Sequence, residues 1–271
     1  LDYLGNHQSV LPSKFQLICP STFSTYNDHL RRKEPPLVTR VSQINAKELE
    51  ARLYGNSYKG ITDFVTKWFW PTPAKKVVGI LAMNHISPNT VTLFSLFLVV
   101  TSSILFNGGY FLFGLLLGWL MTFLDTVDGK LARVTVTSSR TGHLLDHGMD
   151  IIHPPIWYAC WANGLVATSL MDTEIAALLS FLILWAYVFG RVIEALFHAL
   201  GSCSIFAWRP FDAFCRLFSA RRNPCLVLLS AGLIATSPKF GLYAVAGWTL
   251  LSSFILGIRF IQAVFVRIYN G

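Results

Sequence analysis

From about position 88 to position 268 the chain is built almost entirely of apolar runs. Four of them, at about 88–106, 109–133, 174–200 and 241–268, are each long enough to cross a bilayer. About 20 helical residues suffice for ~30 Å of hydrocarbon. Two further runs, at about 141–168 and 224–237, bring the expected spans to six, the fifth in order being short. Composition agrees: 53% of residues are hydrophobic and 13% charged, where a soluble domain carries about 25% charge. The fold expected is an all-α membrane protein, with six transmembrane helices across 87–271. Pro88 suits the first helical turn of the first span.

Upstream the character changes. Residues 1–45 are polar and irregular, with Pro12, Pro20, Pro35, Pro36 and the basic run Arg31-Arg32-Lys33. They read as an extramembrane segment. Residues 46–86 read as N-terminal interfacial amphipathic helices. In 46–70, Leu49, Leu53, Ile61, Phe64 and Val65 alternate with Lys47, Glu48, Glu50, Arg52 and Lys59. A break is expected near Gly55 or Gly60. Trp68-Phe69-Trp70 suits a membrane–water boundary. A helix packed on protein is the competing reading. Pro71 and Pro73 then interrupt the chain before a short second helix at 74–83. The first residue is Leu1, which reads as a processed protein or a piece of a longer one.

Charge orients the spans. Lys130, Arg133 and Arg140 fall between the second and third, and Arg209, Arg216, Arg221 and Arg222 between the fourth and fifth. The opposite loops hold Asp172, Glu174 and Lys239. Basic loops favour the cytoplasmic side, which places both termini there. The net charge of +8 then reflects an anionic leaflet rather than nucleic acid. The cysteines Cys19, Cys160, Cys203, Cys215 and Cys225 form no CxxC pair and read as free thiols.

Carboxylates interrupt this apolar pattern. Asp125-Thr-Val-Asp128-Gly129-Lys-Leu-Ala132-Arg133 is followed by Gly142-His143-Leu-Leu-Asp146-His147-Gly-Met-Asp150. Acidic side chains are costly in hydrocarbon, so such a cluster marks a functional site. Asp125 and Asp128 are i, i+3, and Asp146 and Asp150 are i, i+4, so each pair shares a helix face. Two such faces turned together make an all-oxygen pocket for Mg²⁺ or Mn²⁺. No basic partner is apparent on those faces, so the carboxylates should repel one another until divalent cations bind. Gly129 and Ala132 share the face of Asp125 and Asp128, leaving room for a ligand against the backbone. Gly142 can do the same one turn before Asp146. His143 and His147 have a spacing that can bind zinc, but hard oxygen ligands dominate here. Pocket lining is the plainer role, with substrate contact by His147 as the sharper one. His153, ahead of Pro154-Pro155, marks a kink.

The frame D-x2-D-G-x2-A-R-x8-G-x3-D-x3-D resembles the signature of the CDP-alcohol phosphotransferases, with every fixed position filled. The resemblance implies transfer of a phospho-alcohol from a CDP-linked donor to a hydroxyl acceptor, with CMP leaving. It implies two divalent ions held by Asp125, Asp128, Asp146 and Asp150, and Asp150 as the general base. It assigns Gly129, Ala132 and Gly142 to the cytidine and its phosphates, and Arg133 to phosphate or a carboxylate. Asn89 and Thr92, in Pro-Asn-Thr-Val-Thr, resemble a Pro-Asn element of the family, which puts Asn89 near the donor phosphates. The resemblance also implies a homodimer in the lipid bilayer, with the active site at the cytoplasmic face.

The acceptor is less defined. Arg191 sits late in the fourth span with Glu194 at i+3, either as a buried ion pair or as an anion site. Arg209, Arg216, Arg221 and Arg222 could complete the latter. The arginines favour phosphatidyl transfer from CDP-diacylglycerol to a small polar, phosphorylated acceptor. A choline/ethanolamine-type reaction, with CDP-choline or CDP-ethanolamine and diacylglycerol, is the alternative. A cation transporter lined by carboxylates is the rival from another class.

Overall fold

A computed structural model describes residues 26–27, 32–33, 40, 42, 45–57, 60–137, 140–200, 203–235 and 237–270. Most of the 1–45 segment lies outside the described residues. Within it, Tyr26–Asn27 (β1) and Arg32–Lys33 (β2) form a small antiparallel ladder. The rest is helical: α1 Ala46–Asn56, a π-helical turn at Val65–Phe69, α2 Pro71–Met83, α3 Pro88–Asn107, α4 Phe111–Val134 and α5 Arg140–Ala167. There follow α6 Thr173–Leu200, α7 Ile205–Trp208, α8 Pro210–Phe218, α9 Arg222–Ala235 and α10 Pro238–Asn270.

Local chemistry sets these boundaries. Pro88 opens α3, and Ser87 Oγ accepts the Thr90 amide N–H at 3.2 Å, the usual remedy for an orphan helix-start donor. Pro210 opens α8, where the Asp212 carboxylate accepts the Arg209 N–H at 3.1 Å. The stretch 201–223, expected only as a basic loop, thus contains the two short helices α7 and α8. The expected break after Gly55 is present, since α1 ends at Asn56. The second N-terminal helix starts at Pro71, three residues earlier than expected.

Among the described residues, four helices are long and apolar enough to cross a membrane: α3, α4, α6 and α10. The other two expected spans form helices that fall short of that standard. The 14 residues of α9 reach only ~21 Å at 1.5 Å per residue. The first turns of α5 carry the charged motif, which interrupts its apolar character.

α3 packs on α4 and α5, α6 on α5 and α10, and α9 on α10 and α4. In lipid there is little hydrophobic drive between helices, so close packing and interhelical hydrogen bonds hold them. Both are present. Phe106 contacts Trp157 edge-on at 5.9 Å and Trp161 at 5.1 Å between ring centroids. Trp157 Nε1 donates to the Val99 carbonyl at 3.1 Å, and Ser102 Oγ to the Gly114 carbonyl at 2.7 Å. Two seams bring backbones into contact. A Cβ on Gly164 would lie 2.0 Å from the Phe106 carbonyl oxygen, and one on Gly232 2.3 Å from the Gly241 nitrogen. Outward faces carry Phe94, Phe97 and Ile104 on α3 and Phe181 and Trp185 on α6, all exposed.

Candidate active site

The carboxylates are brought together where the end of α4 meets the first half of α5. Asp128 is 3% exposed, and its Oδ2 accepts from Thr92 Oγ1 of α3 at 2.7 Å. Asp125 lies one turn earlier on α4. Asp150 approaches from α5, close enough for both it and Asp128 to act electrostatically on Asp125. The Asp146 side chain lies outside the described residues, as does that of His143.

The expectation that these faces lack a basic partner is corrected by Arg222, the first residue of α9. Its Nη2 donates to Asp125 Oδ2 at 2.5 Å. Its Nη1 donates to Asp125 Oδ1 at 3.0 Å and to Asp150 Oδ1 at 2.6 Å. One guanidinium therefore bridges carboxylates of two helices. Such charge-assisted forks are strong because fork and carboxylate geometries match. The sequence groups Arg222 with arginines that could bind an anion; in the structure it serves the acidic cluster instead. Its neighbour Asn223 is buried and donates to Asp63 Oδ1 at 3.0 Å and Thr66 Oγ1 at 3.1 Å. Asp63 also caps the π-helical turn through the Val65 and Thr66 amides. The N-terminal elements are thereby tied to the residue beside Arg222.

The small motif residues Gly129 and Ala132 lie on α4 and Gly142 on α5. A Cβ on Gly129 would meet the Arg133 guanidinium at 3.5 Å. Arg133 Nε itself donates to the Ser57 carbonyl at 2.8 Å, at the end of α1. Ala132 and Gly142 are half-buried on α4 and α5. Asn89 is exposed at the start of α3, and Thr92, one turn on, touches the cluster. His147 is exposed on α5. His153 is buried, with Nδ1 2.6 Å from the Met149 carbonyl and its ring edge-on to Trp157 at 4.8 Å.

A second charged group lies next to Asp150, on α6, α8 and the start of α9. Arg191 donates to Glu194 Oε1 at 2.5 Å, and Arg221 pairs with the other oxygen of Glu194. Two arginines thus share one carboxylate. Arg216 has no carboxylate within ion-pair distance among the described residues; it lies over the Phe206 ring at 5.4 Å. Burial first, and then the nearby Arg221 charge, lower its pKa to about 9, though a guanidinium stays protonated at neutral pH. Arg209 is not brought to this group: its guanidinium stacks on Trp208 at 4.3 Å, beside Arg259, which pairs with the Asp212 carboxylate at 2.6 Å.

Residues 85–259 match the family model for CDP-alcohol phosphatidyltransferase. The chain belongs to that family. It is a multi-pass membrane protein of that kind. It is also similar to Cholinephosphotransferase 1 of Xenopus laevis, at 32% identity over 135 residues, 46% of this chain and 31% of that protein. Choline/ethanolaminephosphotransferase 1 of Arabidopsis thaliana is 36% identical over 122 residues, 38% of this chain and 29% of that protein. The matched region spans under a third of either relative's length.

Two contacts of the acidic cluster are not legible in the sequence. Arg222 carried no signal beyond its charge. Thr92 was noted, but as part of a phosphate element rather than as the partner of Asp128.

Proposed function

We propose that the chain transfers a phospho-alcohol from a CDP-linked donor to an acceptor hydroxyl, with release of CMP, in phospholipid biosynthesis. The observation that carries this reading is the convergence of Asp125 and Asp150, from two helices, on a single cation. A pocket that already holds a guanidinium between hard oxygens suits Mg²⁺ or Mn²⁺. Asp125, Asp128 and Asp146 would hold the metal, with Asp150 at a second ion or acting as base. Bound there, divalent ions would neutralise the pyrophosphate and the charge that develops on phosphoryl transfer.

The protein's own part is positioning and proton transfer. Gly129, Ala132 and Gly142 leave space for the cytidine, and Arg133 and Asn89 stand at its phosphate side. Asp150 accepts the proton of the acceptor hydroxyl as its oxygen bonds to the β-phosphorus. The bond from that phosphorus to the CMP oxygen breaks, and CMP departs. α5 and α9 complete six spans around this site, with the carboxylates at the cytoplasmic end. CMP release should depend on metal and stop with chelator. A chain that releases no CMP across a panel of CDP-donors and alcohols would overturn the reading. Thermal stabilisation by CDP with Mg²⁺ separates it from a cation transporter, which has no use for CDP.

For the acceptor, the supporting observation is the excess of arginine around Glu194: Arg191 and Arg221 share it, and Arg216 adds a third cation. This favours an anionic, phosphorylated acceptor and CDP-diacylglycerol as donor. The alternative is supported by the two relatives, whose names describe choline and ethanolamine phosphotransferases. Arg191→Ala decides between them. A charge-assisted contact contributes about 1.5–3 kcal/mol, so the acceptor KM should rise roughly 10–150-fold with little change in the donor KM. A stable variant with an unchanged acceptor KM would favour the choline/ethanolamine-type reaction.

The protein is expected to be a homodimer with one site per protomer, since Gly-rich spans permit close helix approach. Native mass spectrometry from lipid nanodiscs should give twice the chain mass; a monomer mass counts against it.

A further inference from the structure

α5 contains a backbone defect directly beside Asp150. Pro154 and Pro155 lie inside this continuous helix, and proline has no N–H. In an α-helix the N–H of residue i donates to the carbonyl of residue i−4. The donors that should reach the carbonyls of Asp150 and Ile151 are therefore the two that the prolines remove. Those carbonyls are partly buried against α6, where an unmet acceptor is costly.

A side chain from another helix stands where the missing donors should be. The Tyr187 hydroxyl, on α6, is 3.2 Å from the Asp150 carbonyl and 3.0 Å from the Ile151 carbonyl. It is the donor, since carbonyl oxygens only accept. Tyr187 is buried, and its ring also carries Arg191 on one face, 5.3 Å from the centroid. The phenol therefore joins three things: the gap in α5, the backbone of Asp150, and the arginine group around Glu194.

We infer that Tyr187 is a positioning residue: its single O–H, shared between the two carbonyls left without donors by Pro154-Pro155, stands in for the missing N–H groups and so fixes the backbone from which the Asp150 carboxylate projects. This rests on the proposed role of Asp150. A helix with two adjacent carbonyls unbonded can tilt or widen at that point. A carboxylate on the residue that owns one of them would move with it, and displacements near 1 Å are enough to slow chemistry about 100-fold. Tyr187 touches neither donor nor acceptor in this role, so it should affect turnover rather than binding.

Tyr187→Phe keeps the ring and the Arg191 contact and removes only the hydroxyl. The variant should lower kcat for CMP release about tenfold or more, with the donor KM within about twofold of wild type, and should lower Tm. Restoring the helix's own donors should then compensate. Tyr187→Phe combined with Pro154→Ala and Pro155→Ala returns two N–H groups to α5 and should recover most of the lost kcat and Tm. Wild-type kcat and Tm in Tyr187→Phe would overturn the inference. So would a loss that the two alanines do not recover, because the hydroxyl would then act on something other than the proline gap. The Tm arm needs no turnover. If the wild-type protein released no CMP from any donor, the functional reading would fail. The coupling between Tyr187 and the proline pair would still be decided by the Tm values.

Discussion

Asp128→Asn is expected to reduce metal-dependent CMP release by at least about 10³-fold, with the fold retained. That factor corresponds to about 4 kcal/mol of barrier, within what a divalent ion supplies to phosphoryl transfer. Asp128 is the cleaner probe of the pair on α4. Its contact with Thr92 Oγ1 survives in the amide, whose oxygen still accepts the hydroxyl. Asp125→Asn should abolish turnover as well, but it also weakens the fork with Arg222, so its Tm should fall. The measurement is CMP release across a Mg²⁺ and Mn²⁺ titration, with Tm recorded on the same samples. Wild-type turnover in either variant would remove these residues from the metal site.

Arg222→Ala should produce the largest change in stability. Removing it leaves Asp125 and Asp150 facing each other without the guanidinium that bridges them. Breaking a buried ion pair from one side costs about 3–5 kcal/mol. Arg222 and Asp125 are largely shielded, but the Asp150 side chain is 42% exposed, so about 2–4 kcal/mol is the appropriate scale here. Protein prepared with a chelator should therefore melt several degrees below wild type. Mg²⁺ or Mn²⁺ should stabilise the variant more than it stabilises wild type. In wild type an arriving ion competes with a guanidinium already on the carboxylates; in the variant it does not. Equal melting of the two chelated proteins, or an equal gain from metal, would contradict this role. The same contact bears on the proposed catalysis, because the guanidinium occupies an Asp150 oxygen that would otherwise be open to the acceptor hydroxyl.

The helices α3, α4, α6 and α10 were legible because each is a long apolar run, and α3 also has a recognisable start at Ser87 and Pro88. α7 and α8 were not, because short amphipathic turns rich in arginine read as a basic loop. The carboxylates were legible from their spacing, since residues three and four apart share a helix face. Their counter-ion was not: Arg222 is 97 positions from Asp125 and 72 from Asp150. Nothing in a local pattern encodes that pairing. Pro154-Pro155 was read as a kink, which is the local half of the truth. Two prolines in a helix imply two missing donors, but only the packing of α6 on α5 brings the Tyr187 hydroxyl to the carbonyls they leave open. For Arg191, pairing and anion binding both remained open, and the structure supplies the pairing with Glu194.

The two glycine seams have a mechanical consequence. Gly164 against Phe106, and Gly232 against Gly241, lie at the end of the bundle away from the carboxylates. There α3 is pinned to α5, and α9 to α10, backbone against backbone. At the opposite ends, α5 and α9 are joined through charge, at Asp150 and Arg222. Asp150 is ~21 Å along α5 from Gly164, at 1.5 Å per residue. A tilt of about 5° at the seam would move the carboxylate by ~2 Å over that lever arm. Backbone contact fixes the seams, so a change in helix tilt would be felt most at the Asp150–Arg222 end. Under the proposed function, a small tilt would be enough to part the ion pairs at that end, with no helix having to slide past its neighbour.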